Sequence, residues 1–457
     1  MTMLRRARSL CPACLRVVDA RYVSEPDARM VYLDKRCPEH GAFRAPAWAE
    51  EDGLPRFDDW RNDTPPAYPQ TPSTSYDEGC PFDCGLCPDH AQQTCCALIE
   101  VTRRCDMNCP LCYAASGGTD PDTDMAELAE MLAVLRAHGG QANVQLSGGE
   151  PTVRDDLPEI IRLVRDKGFP FVQVNTNGLR LAREAGYAGK LKQAGLDLVY
   201  LQWDGLREST FTALRGAPYL ADKERAAQNC IEAGLSVLLV VTVVRGVNDG
   251  ELGDMLRKAL AFGPQVRGLH VQPAAFFGRS PWNMAEAPRL TLPELMRALE
   301  TQSKGMVRAR DFRPPGSEHA LCSFSALYQR VGDDGLEAVS GDSGCCCAPR
   351  SGARQARDFT ARHWGGLAPD SGLRSRPDTP DTPGAPGAPD TLDAFLGASS
   401  LRRRFTLSAM AFQDAYGVDL ERIRRCHIHI VTRDRRLVPF CMYNMTSAAG
   451  VPLYRTA

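Results

Sequence analysis

The sequence of 457 residues has no excess of either charge and no long apolar segment. Its 54 lysines and arginines are offset by 56 acidic residues, so there is no electrostatic case for nucleic acid as a partner. No apolar run reaches the roughly 18 residues that a transmembrane helix needs. The opening MTMLRRARSL has arginines but lacks the apolar segment of a signal peptide. These absences predict a cytoplasmic protein, with peripheral contact to a membrane surface left open.

Cysteine, in contrast, is abundant. The chain has 18 cysteines, and many of them stand in groups. A chain of this length without an export signal is not expected to use them for a framework of disulfides. Cysteines in C-x2-C and C-x3-C-x2-C groups are typical of metal thiolates. We therefore predict a protein that binds metal.

Two short cysteine motifs lie in residues 1–50, which we predict to form a small metal domain. CPAC begins at Cys11, and CPEHG begins at Cys37. Two such knuckles can offer four ligands in a tetrahedral array. The predicted ligands are Cys11, Cys14, Cys37 and His40. The pattern is typical of a zinc ribbon or a rubredoxin-like iron site, so a mononuclear zinc or iron ion is expected, with a purely structural role left open.

Residues 97–305 alternate apolar runs with helical periods, the pattern of βα units around a parallel sheet. The first predicted helix begins with a capping pattern at Asp124 and Glu127 and ends at Gly139. The predicted strands are Ala97–Thr102, Asn143–Leu146, Phe171–Asn175, Leu198–Leu201, Ser236–Val244 and Leu269–Gln272. They predict an α/β fold, a partial TIM-like (β/α)6 barrel open on one side. Its active site is expected at the carboxyl ends of the strands.

One cysteine spacing, C-x3-C-x2-C, occurs twice. The first copy is Cys80, Cys84 and Cys87, and the second is Cys105, Cys109 and Cys112. Three thiolates at this spacing can hold a [4Fe–4S] cluster and leave one iron without a protein ligand. Only the second copy directly follows a predicted strand, ALIEVT, and so lies in the first βα loop. We predict that this second copy is the catalytic site.

Two further motifs end the next two strands. In LSGGEP, Gly148 and Gly149 allow close approach of the backbone and leave carbonyls free for an ammonium group. Glu150 adds a carboxylate. NTNG begins at Asn175 and ends the third strand. Asn175 is either a ribose contact or an ordinary turn residue.

Together these motifs, over residues 97–275, resemble the radical S-adenosylmethionine (radical SAM) superfamily. The resemblance implies that SAM binds the open iron and that its reductive cleavage yields a 5′-deoxyadenosyl radical. It also implies that the backbone near Tyr113 and side chains of the third to sixth strands, with Asn175 among them, hold the adenosine. The electron is expected from an external donor such as ferredoxin or flavodoxin.

The first copy of the spacing is predicted to be a different device. It lies in a connector, residues 51–96, and follows YDEG rather than a strand. Cys95 or Cys96 can supply a fourth thiolate, which would close the cluster to SAM. We therefore predict an auxiliary [4Fe–4S] cluster here. Cys230, within a helical pattern, is predicted to be a buried packing thiol.

The C-terminal part is less regular. A cysteine-bearing segment, 306–365, precedes a Pro-, Gly- and Asp-rich stretch, 366–392, which we predict to be a disordered linker. The last domain, 393–457, is predicted to contain two strands joined by a charged turn. His427 and His429 share one face of a strand and are predicted to be hydrogen-bonded histidines, with a role as metal ligands as the alternative. Another cluster is expected here, with one or two of the CCC triplet as ligands and structural thiols as the alternative. The candidate residues are Cys322, Cys345, Cys346, Cys347, Cys426 and Cys441.

The whole layout resembles one branch of the superfamily. Its marks are CPxC…CPEHG, then CPxxCGxCxxH, and a late PFCxYN. The layout is similar to the tetraether lipid synthases and to relatives described as dihydropterin methyltransferases. That resemblance implies hydrogen abstraction and carbon–carbon coupling or modification of lipid alkyl chains. PAAFFG (Pro273–Gly278) either lines an apolar cavity or is core. The 366–392 insert and the CCC triplet depart from the branch.

Three other functions stay open. A radical SAM methyltransferase acting on a pterin-like small molecule would share every motif. A peptide-modifying radical SAM enzyme also carries auxiliary clusters, but usually with a denser array of C-terminal cysteines. A non-enzymatic iron–sulfur or zinc electron-transfer protein would explain the cysteines but not GGEP.

Overall fold

The first 49 residues form an antiparallel sheet of their own. The computed structural model describes residues 1–332, 335–339, 352–365 and 403–455. Four strands pair in sequence order. They are β1 (Thr2–Leu10), β2 (Val17–Glu25), β3 (Met30–Cys37) and β4 (Gly41–Ala49). Both predicted knuckles lie in the turns that join these strands, one between β1 and β2 and the other between β3 and β4.

A second sheet, of eleven strands, forms the body of the chain. Its central strands pair in parallel with their sequence neighbours, as βα units require. They are β5 (Cys96–Thr102), β6 (Asn143–Gly148), β7 (Val172–Thr176), β8 (Leu198–Gln202), β9 (Ser236–Val243) and β10 (Val266–Pro273). All the strands predicted for the barrel are therefore present, with ends that differ by a few residues.

Helices connect these strands and bury apolar stripes. In Leu157–Asp166 the buried residues Leu157, Ile160, Ile161 and Val164 follow helical spacing. The capping pattern is confirmed, because Asp124 accepts a 2.8 Å hydrogen bond from the Glu127 backbone. The helices are α1 (Met125–Val134, continued by a π turn over Leu135–Gly139), α2 (Leu157–Asp166), α3 (Leu179–Arg183), α4 (Tyr187–Gln193), α5 (Glu208–Arg215), α6 (Leu220–Glu232), α7 (Leu252–Ala261), α8 (Leu292–Gln302), α9 (Gly352–Trp364), α10 (Leu420–Arg424) and α11 (Phe440–Tyr443).

The C-terminal strands extend both edges of the barrel sheet. They are β11 (Ser323–Val331), β12 (Gly335–Ala338), β13 (Arg404–Met410), β14 (Ile428–Val431) and β15 (Leu437–Pro439). Strand β13 pairs in parallel with β10, and β14 pairs in parallel with β5. The parallel part of the sheet is therefore wider than the predicted (β/α)6 core, and segment 393–457 shares its sheet. The hairpin of β14 and β15 confirms the predicted strand pair.

One segment spans the gap between the two edges of the parallel sheet. Residues 313–322 precede β11. At one end, the backbone N–H of Ala411, just after β13, donates to the Cys322 carbonyl over 2.8 Å. Near the other end, Ser317 contacts His427, just before β14, over 2.6 Å. The side on which the predicted barrel was open is therefore covered by this segment.

Helix α9 lies across the amino ends of the strands. Asn143, the first residue of β6, donates to the Arg357 carbonyl over 3.3 Å. Arg267, near the start of β10, donates to the His363 carbonyl over 2.9 Å. The helix therefore covers the end of the barrel opposite the cysteine loop.

Two sequence-based expectations cannot be compared with the described residues. The predicted linker 366–392 and the triplet Cys345, Cys346 and Cys347 lie outside them. Cys230 is fully buried, which confirms it as a packing thiol. In the part of the chain that is described, no helix is both long and apolar enough to cross a membrane.

Candidate active site

A cavity of about 470 Å³ lies inside the barrel sheet. That volume falls within the range of roughly 300–1,000 Å³ usual for small-molecule sites. Side chains from all the central strands reach it, as do residues of α9 and of the segment 313–322. At the cysteine-loop end its wall includes Leu111, Tyr113, Asn175 and Arg215.

The three cysteines of the second copy lie together at this end. Cys105, Cys109 and Cys112 share an apolar cluster with Met107 and Leu179. Burial raises the pKa of Cys105 to about 12, with the Cys109 thiol a smaller cause in the same direction. The Met107 backbone N–H donates to the Cys105 sulfur over 3.4 Å. Three adjoining thiols in a largely apolar loop, with an N–H donor to sulfur, fit the ligand set of a [4Fe–4S] cluster.

The two glycines of GGEP hold the start of this loop. A Cβ on Gly148 would lie 2.1 Å from the Thr102 carbonyl oxygen, and one on Gly149 would lie 2.1 Å from that of Arg104. The Gly149 N–H donates to Thr102 O over 2.8 Å, and the Glu150 N–H donates to Arg104 O over 2.9 Å. The close approach that the sequence predicts is therefore present, and it is made to the cysteine loop itself.

We expect Gly149→Ala to destabilise the fold by about 2 kcal/mol, because its Cβ would overlap backbone atoms that carry the cysteine loop. Iron retention should also fall. Chemical denaturation and iron analysis measure the two effects. The matched control is Gly189→Ala in α4, where nothing lies within 4 Å of an added Cβ. Helix propensity favours that change by up to about 1 kcal/mol. Equal stability of the two variants would show that Gly149 does not pack against the backbone of the cysteine loop.

Glu150 is held by the protein rather than turned into open space. The side chain is 1% exposed. One carboxylate oxygen accepts from the Thr152 N–H and hydroxyl and from the Thr176 hydroxyl, over 3.0, 2.6 and 2.7 Å. The other accepts from the Asn177 N–H over 2.6 Å. Burial raises the pKa of Glu150, while these donors lower it. Its contacts therefore join GGEP to the NTNG turn.

Two arginines fasten the far end of the cysteine loop. Arg279 exchanges backbone hydrogen bonds with Cys112 and donates from its side chain to the Cys109 carbonyl over 2.7 Å. Arg215 donates to the Leu111 carbonyl over 3.0 Å. Its guanidinium makes two bonds to the fully buried Asp204, over 2.7 and 2.8 Å. The loop is thus held by α5 and by the segment that follows β10.

Tyr113 and Asn175 meet at a shared serine. The Tyr113 hydroxyl lies 3.2 Å from the Ser147 hydroxyl, and the Asn175 amide donates to the same oxygen over 3.4 Å. Both side chains line the cavity beside the cysteine loop. Their position is compatible with the predicted contact to a nucleoside. Of the PAAFFG pair, Phe276 packs on Trp282 and Arg289 in the core, whereas Phe277 faces the cavity.

The first copy, Cys80, Cys84 and Cys87, lies around a small cavity with His90 and Arg424. Burial, followed by the charges of Cys80, Cys87 and Cys426, raises the pKa of Cys84 well above its ordinary value. The Cys426 carbonyl lies 2.8 Å from Nε2 of His90 in the wall of this cavity, which makes Cys426 a candidate for the fourth thiol.

The predicted fourth ligands, Cys95 and Cys96, lie elsewhere. They stand at the start of β5 and line the large cavity. The Gln173 amide lies 3.6 Å from the Cys96 sulfur as a donor. Cys80, Cys84 and Cys87 surround a different, smaller cavity, so the structure places the predicted fourth ligands at another cavity from the first copy.

Burial raises the pKa of Cys426, and the charges of Cys441 and Cys322 act in the same direction. Burial raises the pKa of Cys441 to about 12, and the Cys322 charge acts in the same direction. The buried Arg422 guanidinium donates to the Cys322 sulfur over 3.4 Å. The charges of Cys322 and Cys441 therefore act on the pKa of Cys426, and the Arg422 guanidinium lies beside Cys322. His427 and His429 are both hydrogen-bonded, as predicted, to Ser317 and Thr94.

The N-terminal ligand set converges as predicted. The ligand atoms of Cys11, Cys14, Cys37 and His40 all lie within 4.8 Å of one another. The His40 Nδ1 is 3.4 Å from the Cys37 sulfur and 3.7 Å from that of Cys11. Zinc–sulfur bonds of about 2.3 Å and zinc–nitrogen bonds of about 2.0 Å in a tetrahedron require separations of this size. The hydrogen bond from His40 lowers the pKa of Cys37 to about 6, which favours the thiolate that binds metal.

Sequence reasoning missed several polar residues of the cavity. Glu318 and Ser317, from the segment 313–322, face it together with Gln145 and Gln173 from the strands. None belongs to a motif with diagnostic spacing. The strand glutamines carry one weak signal, because a polar side chain inside an otherwise apolar strand must find a partner or a ligand.

Comparison with known proteins identifies the class. Residues 99–259 match the model of the Radical SAM superfamily, and residues 3–49 match that of the HMPTM N-terminal zinc ribbon domain. This chain is a radical SAM enzyme with an N-terminal zinc ribbon domain.

A curated relative identifies the family. The chain is 33% identical over 482 residues to 7,8-dihydro-6-hydroxymethylpterin dimethyltransferase of Methanocaldococcus jannaschii, covering 97% of this chain and 94% of that protein. It belongs to that protein's family. A probable GTP 3′,8-cyclase of Methanothermobacter thermautotrophicus is 32% identical over 162 residues, covering 34% of this chain and 51% of the cyclase. The Streptococcus suis SuiB structure bound to precursor peptide SuiA has a TM-score of 0.39 and 15% identity, covering 47% of each chain.

Proposed function

We propose that this enzyme is a radical SAM methyltransferase acting on a reduced pterin or a heterocycle of similar size and polarity. The observation that carries the proposal is a set of buried polar atoms in the cavity wall. Gln173 Oε1, Asn143 Oδ1 and Thr406 Oγ1 make no hydrogen bond to any residue that the structure describes. Buried polar groups in proteins nearly always have partners. The cavity is therefore suited to a ligand that brings its own donors and acceptors.

A lipid alkyl chain fits this wall poorly. It would leave the buried polar atoms unpaired, at a cost of roughly 1–3 kcal/mol each. This argues against the coupling of lipid chains. The cavity also has an aromatic side. The ring centroids of Phe412 and Phe440 lie 4.4 Å apart there, and the ring of Phe277 packs against that of Phe440. A flat heterocycle can pack on such rings. The name of the Methanocaldococcus jannaschii relative, a dihydropterin dimethyltransferase, supports the same class of substrate.

The residues of the cysteine loop and those beside it have three different roles in this reaction. Cys105, Cys109 and Cys112 hold the [4Fe–4S] cluster that binds SAM. The cluster and SAM supply, when bound, the one-electron chemistry that removes a hydrogen atom from the substrate. Tyr113 and Asn175 line the adenosine end of the cavity. Glu150 acts as a positioning residue, since its carboxylate is occupied by donors of the protein.

We assign a closed auxiliary cluster to Cys80, Cys84 and Cys87, with Cys426 as the fourth ligand. The cavity that the first three thiols share, the contact of the Cys426 carbonyl with His90 and the apolar setting of Cys84 support it. Cys322 and Cys441, two buried thiols near Arg422, are candidates for a further metal site. The electron is proposed to come from ferredoxin or flavodoxin in the cytoplasm.

We propose zinc at the N-terminal site and expect His40→Ala to lower its affinity at least about 10-fold, because one of four ligands is lost. Metal analysis after dialysis against a weak chelator measures the effect. His138→Ala is the matched control, since His138 lies outside the ribbon and its Nδ1 bonds to the Thr71 carbonyl over 3.0 Å. Retention of zinc by both variants would show that His40 is not a ligand.

The function is tested by substrate-dependent cleavage of SAM. The reconstituted protein is incubated with SAM and reductant, and 5′-deoxyadenosine is measured with three additions in parallel. We expect a dihydropterin to stimulate its formation well above the rate without substrate. GTP and a long-chain lipid should have little effect. Stimulation by the lipid alone would replace this proposal with alkyl modification.

A further inference from the structure

One buried carboxylate faces the cavity without a strong cationic partner. Glu318 is 5% exposed and comes from the segment 313–322. Its Oε1 accepts from the Ser323 hydroxyl over 2.5 Å, and its Oε2 accepts from the Ser317 hydroxyl over 2.9 Å. Each carboxylate oxygen can accept about two hydrogen bonds. Both oxygens therefore keep the capacity to accept one more.

The charge of Glu318 is not matched by a lysine or arginine in the part of the chain that is described. Its ion-pair partner there is His427, whose Nδ1 lies 3.5 Å from Oε2. A buried carboxylate without a firm counter-charge is costly. A ligand that offers donors to both oxygens would remove much of that cost.

Ser317 connects His427 to the carboxylate. The Ser317 oxygen lies 2.6 Å from His427 Nδ1 and 2.9 Å from Glu318 Oε2. A hydroxyl carries one proton, so when Ser317 donates to Glu318 the N–H of His427 donates to Ser317. With Ser323 on the other oxygen, the carboxylate is held in one orientation. The Glu318 carboxylate is thus oriented before a ligand binds, and it suits a ligand whose donors have a fixed spacing.

We propose that Glu318 is the residue that recognises the 2-amino-pyrimidinone edge of the substrate. This inference rests on the proposed function. In a 2-amino-4-oxo pteridine, the ring N3–H and the exocyclic amino N–H point the same way, side by side. That donor pair matches the two oxygens of a carboxylate, as one side of an arginine guanidinium does. Adenine offers an acceptor beside its amino group and does not match.

The proposed contact also predicts that the site selects heterocycles with a 2-amino group. A heterocycle without the 2-amino group supplies one donor where the site has two acceptors, so one oxygen would stay unpaired. Sites built around polar groups reject such analogues strongly. Glu318→Gln should also weaken binding. The glutamine amide has one acceptor oxygen and one N–H donor, so one of the two N–H donors of the ligand would face another donor.

The test uses the anaerobically reconstituted full chain. For Glu318→Gln we expect the KM for a dihydropterin to rise about 10- to 100-fold. The KM for SAM and the formation of 5′-deoxyadenosine without substrate should change less than about twofold, because no contact to the cysteine loop is altered. Equilibrium binding of the dihydropterin, followed by fluorescence, should weaken by the same factor. Glu159→Gln is the control, because Glu159 is a surface carboxylate paired with Arg162. It should change neither the KM nor the binding of the dihydropterin.

A second measurement needs no variant and so does not depend on folding. The wild-type protein should bind a 2-desamino dihydropterin at least about 10-fold more weakly than the parent compound. Equal binding of the two compounds would overturn the proposal. A rise in the KM for SAM alone in Glu318→Gln would also overturn it, by placing the carboxylate at the methionine ammonium. If wild type cleaves SAM but binds no pterin, the proposed function itself fails, and the two failures are distinct.

Discussion

Cys105→Ala should reduce reductive cleavage of SAM about 10³-fold or more, the effect of removing one member of a unit that acts as a whole. The reason is positional. Cys105 belongs to the loop that follows β5, and that loop is fixed by backbone contacts to Gly149 and Arg279. A cluster that loses a thiolate there cannot present an open iron in the same place. The measurement is 5′-deoxyadenosine formed with a strong chemical reductant.

The informative control is the other copy of the same spacing. Cys80→Ala should lower the iron content but keep detectable cleavage of SAM, because Cys80 lies outside the barrel loop. Cys230→Ala, a substitution of a buried thiol in α6, should keep both iron and cleavage. If Cys80→Ala abolished cleavage while Cys105→Ala preserved it, the assignment of the two copies would be reversed.

Asp204→Asn should destabilise the protein by about 3–5 kcal/mol, the cost of leaving a buried arginine without its carboxylate. Asp204 is fully buried, and both of its oxygens accept from Arg215. Because Arg215 also donates to the Leu111 carbonyl, loss of its anchor should loosen the cysteine loop. Urea denaturation of the reconstituted protein measures the stability, and the rate of iron release on dilution measures the loop.

Asp254→Asn is the matched control for this ion pair. Asp254 pairs with Arg257 on the surface of α7, where both side chains are exposed. Exposed pairs contribute roughly 0–1 kcal/mol. A loss for Asp204→Asn no larger than that of the surface control would mean that the buried pair does not support the loop.

The sequence was sufficient to predict the strands of the barrel and the position of the cysteine loop. Both depend on local patterns. Strand β5 is an apolar run, and Cys105 follows it directly, so the loop must lie at a strand end. The ribbon ligands were also predictable, because CPAC and CPEHG have short and characteristic spacings.

The C-terminal strands show where local patterns end. Leu269 of β10 pairs with Leu407 of β13, and Ala97 of β5 pairs with His429 of β14. Such pairings join residues far apart in the chain and leave no periodic signal. The same holds for Cys426, which lies just before β14 and contacts His90, 336 residues away in the chain.

The cavity residues were harder still. Glu318 is a single acidic residue in the loop PPGSEH, and its meaning depends on Ser323 and His427, which the fold brings to it. Glu150 shows the reverse case. Its motif was recognised, but only the structure shows that donors of the NTNG turn occupy the carboxylate.

The most direct test of this account is the mass of the substrate after the reaction. The reconstituted enzyme is incubated with SAM, reductant, a methyl donor supplied by a cell extract, and 7,8-dihydro-6-hydroxymethylpterin, and the pterins are analysed by mass spectrometry. The account predicts pterin products heavier by methyl groups, formed by wild type and absent with Cys105→Ala. Recovery of unchanged pterin, together with coupled or modified alkyl chains in the lipids of the same extract, would contradict it.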